Sequence, residues 1–470
     1  MDTTIKIVIV VLYLAVLVGI GAVASRKIKD LRDFFAAGKS LGFWSVAFSA
    51  RATGESAWLL LGLTGMGAAV GLQAMWIVLG EILGVGIAWL VMSRRFKRLT
   101  DQYDSVTVPD FLESRFRDTS HLLRKVAALS LVVFVTIYVS AQIDATGSAF
   151  ESFLGWNYYV GALVGFVVVL LYATSGGFYA VAWSDVFQGV LMFAGLVILP
   201  IAGFVAAGGP AAVFDGVAAI DPNLLAWSGS ADGWTSLLAF EVAGLVLIGF
   251  GFLGSPQVFV RFISLKSESE IPRGAAVAII WTVLADTGAV MTGLVGRHLL
   301  TEQGQAVTDV LGNGGQNVLP LLTEHLFPIL IVGLYVAIVL SAIMSTIDSL
   351  LVVAGSALTR DWYQKVLHPE IPDDQLIKLS RNATLGLALA ALAVAMTVLE
   401  HAVWMAVRQG VGLRHSVRPL QTGCRWPPVH TAVIIPPPRA WWRVGVQTEQ
   451  HRHLDRLSRG RIRLGTTWHR

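Results

Sequence analysis

Arg51 and Glu55 stand four residues apart in Phe48-Ser-Ala-Arg-Ala-Thr-Gly-Glu-Ser-Ala-Trp-Leu-Leu-Leu-Gly-Leu-Thr-Gly65, a stretch otherwise apolar enough to lie at membrane depth. A charge near the bilayer centre is costly unless it is paired or faces a wet cavity. On a helix the two side chains share a face. They either offset each other's burial or serve a ligand. In the second case Arg51 binds a solute carboxylate or substitutes for a cation charge, and Glu55 tunes ion use. A fixed positive charge beside an ion site would weaken cation binding there, because like charges repel strongly at low dielectric. Gly54 and its small neighbours let a helix unwind and bare its carbonyls, which is tolerated only where that backbone lines a cavity or finds partners. Glycine-interrupted helices at mid-membrane mark the binding centre of a secondary transporter.

A second group of oxygens lies in Leu340-Ser-Ala-Ile-Met-Ser-Thr-Ile-Asp-Ser349, where Ser341, Ser345 and Asp348 share one helical face at i, i+4 and i+7. Hydroxyls and carbonyls suit a hard cation such as Na⁺. The competing reading is packing, with each hydroxyl bonded back to the i−4 carbonyl. Further acids recur in apolar runs at Glu81, Asp144, Glu241 and Asp286, with Asp185 at a helix entrance. Singly, each is a paired or snorkelling side chain; together they suggest a polar pathway. There is no phosphate-binding loop ending in Gly-Lys-Ser/Thr and no His/Cys cluster at zinc spacing, so ATP-driven transport, a zinc cofactor and enzymatic chemistry are not indicated.

The elements that must hold these residues are membrane helices. Hydrophobic residues make up 55% of the 470 and charged residues 14%, too apolar for a soluble chain of this length. About 20 residues are needed to span. Suitable runs fall at roughly 4–24, 42–70, 72–92, 126–148, 158–174, 186–207, 236–258, 275–296, 327–357 and 379–399, which predicts ten helices. The start, Met1-Asp-Thr-Thr, lacks a basic region and a cleavage site, so the first run reads as a retained helix. Of the 23 Lys and Arg before residue 408, 20 fall in or beside the segments 25–41, 93–125, 174–185, 259–274 and 358–378. Only Lys6 and Arg297 lie on the other side. By the positive-inside rule those segments are cytoplasmic and the N-terminus is outside.

From Arg408 the composition changes. Residues 408–470 hold 12 Arg, no Lys and two acids, Glu449 and Asp455, with Pro436-Pro-Pro438 and the lone cysteine Cys424. This tail carries the chain's basicity and leaves residues 1–407 at a net −6, so nucleic-acid binding is not read from the +4 total. A basic tail touching anionic lipid is one reading. However, His401-Ala-Val-Trp-Met-Ala-Val407 begins like another helix, so an Arg-rich continuation would sit inside the bilayer. The expected domains are therefore a transmembrane domain at 1–407 and an atypical tail at 408–470, frame-shifted or disordered.

Several blocks occur in a particular order: Phe34-Phe-Ala-Ala-Gly-Lys-Ser-Leu-Gly42, Ser56-Ala-Trp-Leu-Leu-Leu-Gly62, Val108-Pro-Asp-Phe111 with Arg115-Phe116, Ser175-Gly-Gly-Phe-Tyr-Ala-Val-Ala-Trp-Ser-Asp-Val-Phe-Gln188, Gly254-Ser-Pro-Gln257 with Arg261-Phe262, and Ala342-Ile-Met-Ser-Thr346. In this ordered set the chain resembles the bacterial sodium/solute symporter family, and most nearly its sodium/proline branch, over residues 1 to about 407. The resemblance implies an all-α polytopic membrane protein with a five-plus-five inverted-repeat core and one extra N-terminal helix, its C-terminal helices missing or altered here. It also implies sodium held by the carbonyls of Ala52 and Glu55 with Ala342, Ser345 and Thr346 of the ninth helix, a coupling role for Asp185, and a basic gate position at Lys39. Ser56, Trp58, Tyr138 and Pro256 match positions around the substrate. There are departures. The branch has an aspartate where Gly54 stands, a neutral residue where Glu55 stands and a small one where Arg51 stands. Phe252 replaces a Tyr and Ile248 a Trp, which changes the solute polar groups that can be satisfied.

The expected function is sodium-coupled symport of a small organic solute, a proline-like amino acid or other organic carboxylate, into a bacterial cell across its inner membrane. Na⁺ is the coupling ion, and solute, Na⁺ and lipid are the partners. The alternatives are a solute-sensing module, proton coupling through Glu55 or Asp185, and a non-transporting truncated relative. Resequencing the coding DNA across codon 407 is expected to reveal a shifted frame; an intact frame there would contradict that origin for the tail.

Overall fold

The computed structural model describes residues 2–399; the expected helix start at 401–407 and the tail at 408–470 lie outside them. The described residues are overwhelmingly helical, and their sole β-type contact is an isolated parallel bridge between Leu41 and Leu265. The main helices are α1 (Asp2–Ser25), α2 (Phe43–Ala57), α3 (Met75–Ile87), α4 (Leu122–Leu154), α5 (Tyr158–Ala206), α6 (Ser236–Gly249), α7 (Pro256–Ser264), α8 (Ile271–Leu300), α9 (Ile329–Ser356) and α10 (Asp373–Val394). Among the described residues, eight helical stretches are long and apolar enough to cross a membrane, and Tyr158–Thr174 is a shorter apolar one. Apolar side chains face outward, with Val205 75% and Phe240 73% exposed. A surface of that kind suits hydrocarbon rather than water.

Three helices are broken where the sequence supplies small residues. At the end of α2, Ser56 adopts φ 55° and ψ −170°, and a wide π-type turn at Trp58–Leu63 follows. A non-glycine residue in this region costs about 1–3 kcal/mol and persists only where its surroundings hold it. They do: Gln142 of α4 accepts the Ala57 amide at 3.2 Å, and the Ser56 hydroxyl accepts the Trp58 amide at 3.2 Å. In α5, Gly177 takes φ 52°. Between α6 and α7 the chain turns through Phe250–Gly254 and extended Ser255, and Pro256 opens the next helix.

Several segments expected to be loops are helical. The run through Phe43–Gln102 carries α3 well past its apolar part, and α9 continues to Leu367. The stretch at 174–185 is helical too, so Asp185 is not at a helix entrance. Helix resumes directly after the Gly177 break, which places Asp185 inside α5 with no exposed surface. Polar residues mislead here because they face protein rather than water.

At the centre stands α9, where every residue from Tyr335 to Ser356 is buried. It packs against α1, α2, α4 and α5. Elsewhere close packing relies on glycine. A Cβ on Gly293 of α8 would lie 2.2 Å from the Thr64 carbonyl, and one on Gly80 of α3 would lie 2.1 Å from the Val246 carbonyl of α6. Small residues at such crossings let backbones approach, which is how membrane helices gain contact. Gly293→Val should therefore destabilise the fold by about 1–3 kcal/mol, read as a lowered Tm in detergent. An unchanged Tm would show that the α8 crossing can relax.

Candidate functional site

The break in α2 leaves carbonyls facing α9. Ala57, whose amide would serve the Thr53 carbonyl in an unbroken helix, donates to Gln142. The Thr53 carbonyl in turn accepts the Thr346 hydroxyl at 3.2 Å, and the Ala52 carbonyl accepts the Ser345 hydroxyl at 3.0 Å. Both hydroxyls also bond back to the Ala342 carbonyl, at 3.2 and 3.0 Å. Thus the hydroxyls back-bond within α9 and also reach the bared carbonyls of α2. Four of the five residues expected around sodium (Ala52, Ala342, Ser345, Thr346) meet here within hydrogen-bond distance. The fifth, Glu55, has its carbonyl turned to the Trp58 amide. Ser341 points elsewhere and donates to the Tyr13 hydroxyl of α1 at 3.1 Å.

Next to this contact lies a buried polar network. Arg261 of α7 donates to Asp185 of α5 at 2.5 Å, to Ser49 of α2 at 2.7 Å and to Ser349 of α9 at 2.6 Å. Ser49 also donates to Asp185 at 2.6 Å, and Ser349 to Asp348 at 3.1 Å. These five residues are fully buried. One guanidinium therefore ties together helices from four parts of the chain. Asp185 Oδ1 accepts no hydrogen bond among the described residues. Sequence reasoning found Asp185 but not its partner. The signal was present in the Arg261-Phe262 block, a cation that a buried acid would require.

On the opposite face of α2, Arg51 pairs with Glu55 as the spacing predicts, and also reaches Glu81 of α3 at 3.4 Å and Asp286 of α8 at 3.5 Å. The sequence marked those two acids without linking them to Arg51. The Arg51 guanidinium lies 4.8 Å from the Phe252 ring and 5.1 Å from the Trp281 ring, within cation–π range. Gly54 allows this: a Cβ there would lie 2.4 Å from Phe252.

The expected substrate positions are partly assembled. Tyr138 of α4 interacts with Ser56 at the break. The Trp58 ring packs on Gly62, Ile248 is half-buried against the core, and Pro256 begins α7 after the turn that carries Phe252. Lys39 lies apart from them. Its ammonium donates to the Thr100 carbonyl at 3.0 Å and to Asp101 at 3.2 Å, pinning the turn before α2 to the end of the α3 run. Nearby, Glu113 meets Arg124 and His121. Burial pushes its carboxyl up, but hydrogen bonds from Arg124 and His121 outweigh burial and hold it below the ordinary value.

Broken helices, bared carbonyls and converging hydroxyls in a multi-pass helical bundle define a secondary transporter of small solutes. Comparison with known proteins agrees. A profile of the sodium:solute symporter family matches residues 34–413. The high-affinity proline transporter PutP of Bacillus subtilis is 36% identical over 80% of this chain and 77% of its own length. The osmoregulated proline transporter OpuE of the same species is 33% identical over 82% and 76%. The sodium/proline symporter of Staphylococcus aureus is 31% identical over 88% and 79%. Among solved structures, a Na⁺-coupled sialic acid symporter in a substrate-bound, outward-open state aligns with a TM-score of 0.71 at 21% identity, over 87% of this chain and 84% of that one. That likeness is one of fold. The chain belongs to the sodium:solute symporter family, a family of transporters and not of enzymes.

Arg261→Met would leave Asp185 buried without its cation. The expected loss is about 3–5 kcal/mol, seen as a lower Tm, with much of it regained when Asp185→Leu is added. A single variant as stable as the parent would contradict the pairing.

Proposed function

We propose that the chain couples an inward Na⁺ gradient to uptake of a small amino acid of the proline type, or a related organic carboxylate, across a bacterial plasma membrane. The observation that carries this reading is the convergence of the Ser345 and Thr346 hydroxyls on the Ala52 and Thr53 carbonyls beside the α2 break. All the ligand atoms there are neutral oxygens, the type a small hard cation prefers. Na⁺ entering between α2 and α9 would take over the carbonyls that the hydroxyls now occupy, leaving each hydroxyl oxygen a lone pair for the ion. The contact between the two helices would then depend on the ion. The free Oδ1 of Asp185 offers a charged oxygen close by, consistent with a coupling role.

The solute class rests on the proline transporters among the relatives and on the residues around the break. Ser56 and Tyr138 supply hydroxyls, Trp58 and Phe252 supply aromatic faces, and Ile248 and Pro256 supply apolar walls. Phe252 lacks a hydroxyl, so a solute needing a donor there is disfavoured. Two broken elements, α2 in the first half and α6–α7 in the second, support the five-plus-five inverted-repeat arrangement, with α1 as the extra helix. Lys6 pairs with Glu324 at one end, and Lys39 and Arg32 pair with Asp101 and Asp104 at the other. Basic loop residues concentrate at the second end, which supports a cytoplasmic location for it and an N-terminus outside.

Uptake of labelled amino acids and carboxylates into vesicles holding the purified chain tests the proposal. Accumulation that requires an inward Na⁺ gradient is expected, and accumulation that follows a proton gradient without Na⁺ would overturn it. Ser345→Ala and Thr346→Ala each remove one oxygen and should raise the half-saturating Na⁺ concentration roughly tenfold, a loss of about 1.4 kcal/mol. An unchanged Na⁺ dependence in both would remove these residues from the site.

A further inference from the structure

The charges around Arg51 do not form an ordinary ion pair. Three carboxylates, from Glu55, Glu81 and Asp286, have ligand oxygens all within 4.8 Å of one another, and none of the three residues is more than 3% exposed. Oxygens on opposite sides of a hard cation bound at about 2.3–2.6 Å show a similar spread. Into this space Arg51 extends a single nitrogen, Nη2, which meets all three acids. Its Nε and Nη1 are buried and have no hydrogen-bond partner among the described residues. Guanidinium normally binds carboxylate as a planar fork using two nitrogens. Here a single nitrogen carries the charge among the three acids. The Phe252 and Trp281 rings add two aromatic faces suited to a cation.

We propose that Glu55, Glu81 and Asp286 form a cage for a cation, and that Arg51 fills it with one tethered to the chain. The cage joins α2, α3 and α8 on the face of α2 turned away from Ser345 and Thr346, so it is separate from the contact assigned to Na⁺. Because its positive charge is covalently held, it stays with the protein throughout a transport cycle, and no soluble ion is needed there. Cutting the tether should create a binding site for a soluble cation.

The test uses the full chain purified in detergent and needs no uptake, so its outcome is independent of the symport reading. Arg51→Ala is titrated with guanidinium chloride at millimolar concentrations, below those that denature, and Tm is followed. A saturable rise of roughly 5 °C is expected in Arg51→Ala. The parent should show no such rise, and Asp286→Asn added to Arg51→Ala should abolish it. No saturable rise in Arg51→Ala, or an equal rise in the parent, would overturn the proposal. Should Arg51→Ala yield no folded protein, Arg51→Lys and Arg51→Met decide the matter. A folded Lys variant beside an unfolded Met variant supports a required cation, since the Lys ammonium is a compact charge; equal yields of the two overturn it.

Discussion

The structure depends on one constraint: backbone groups freed inside a membrane must find new partners, because hydrocarbon offers none. The break at Ser56 frees the Ala57 amide and turns carbonyls of α2 toward α9. Gln142 satisfies the first, and the Ser345 and Thr346 hydroxyls satisfy the second. Each hydroxyl already has an alternative acceptor in the Ala342 carbonyl. A contact that can be made or released at low cost suits a site that must accept and release an ion.

Around α2 the two faces do different work. One face carries Ala52 and Ser49 toward α9 and α5, where neutral oxygens and the Asp185–Arg261 pair meet. The other carries Arg51 and Glu55 toward α3 and α8, where formal charges collect. Desolvating so many charges is unfavourable unless they are mutually compensated. Each group therefore binds its helices together. Arg261 links α7 to α2, α5 and α9, while Arg51 holds α2 against α3 and α8. Gly54 lies between these uses and leaves room for Phe252 to cover Arg51. Arg51, Gly54, Glu55 and Phe252 thus form one packing unit.

Much of this was legible in the sequence. The apolar runs located the helices, and Gly54 among small residues marked the break. The motif blocks identified the family and, residue by residue, the hydroxyls that meet α2. What was not legible depends on which helices become neighbours. Glu81 and Asp286 are separated from Arg51 by 30 and 235 positions, and periodicity within one helix cannot report such a contact. Gln142 looked like any amide in an apolar run. The polar residues around Asp185 read as a loop in sequence, whereas Asp185 lies inside α5 and joins a buried network with α2, α7 and α9. The Ala57 amide shows the general reason: its partner is set by a helix that begins some 65 residues later.

The proposed coupling turns on Na⁺ binding at the α2–α9 contact. The most direct measurement is the Na⁺ dependence of Tm for the purified chain, with choline replacing Na⁺, compared with a Ser345→Ala, Thr346→Ala double variant. A saturable, Na⁺-specific stabilisation of the parent that the double variant lacks is expected. Equal stabilisation of both would place the ion elsewhere.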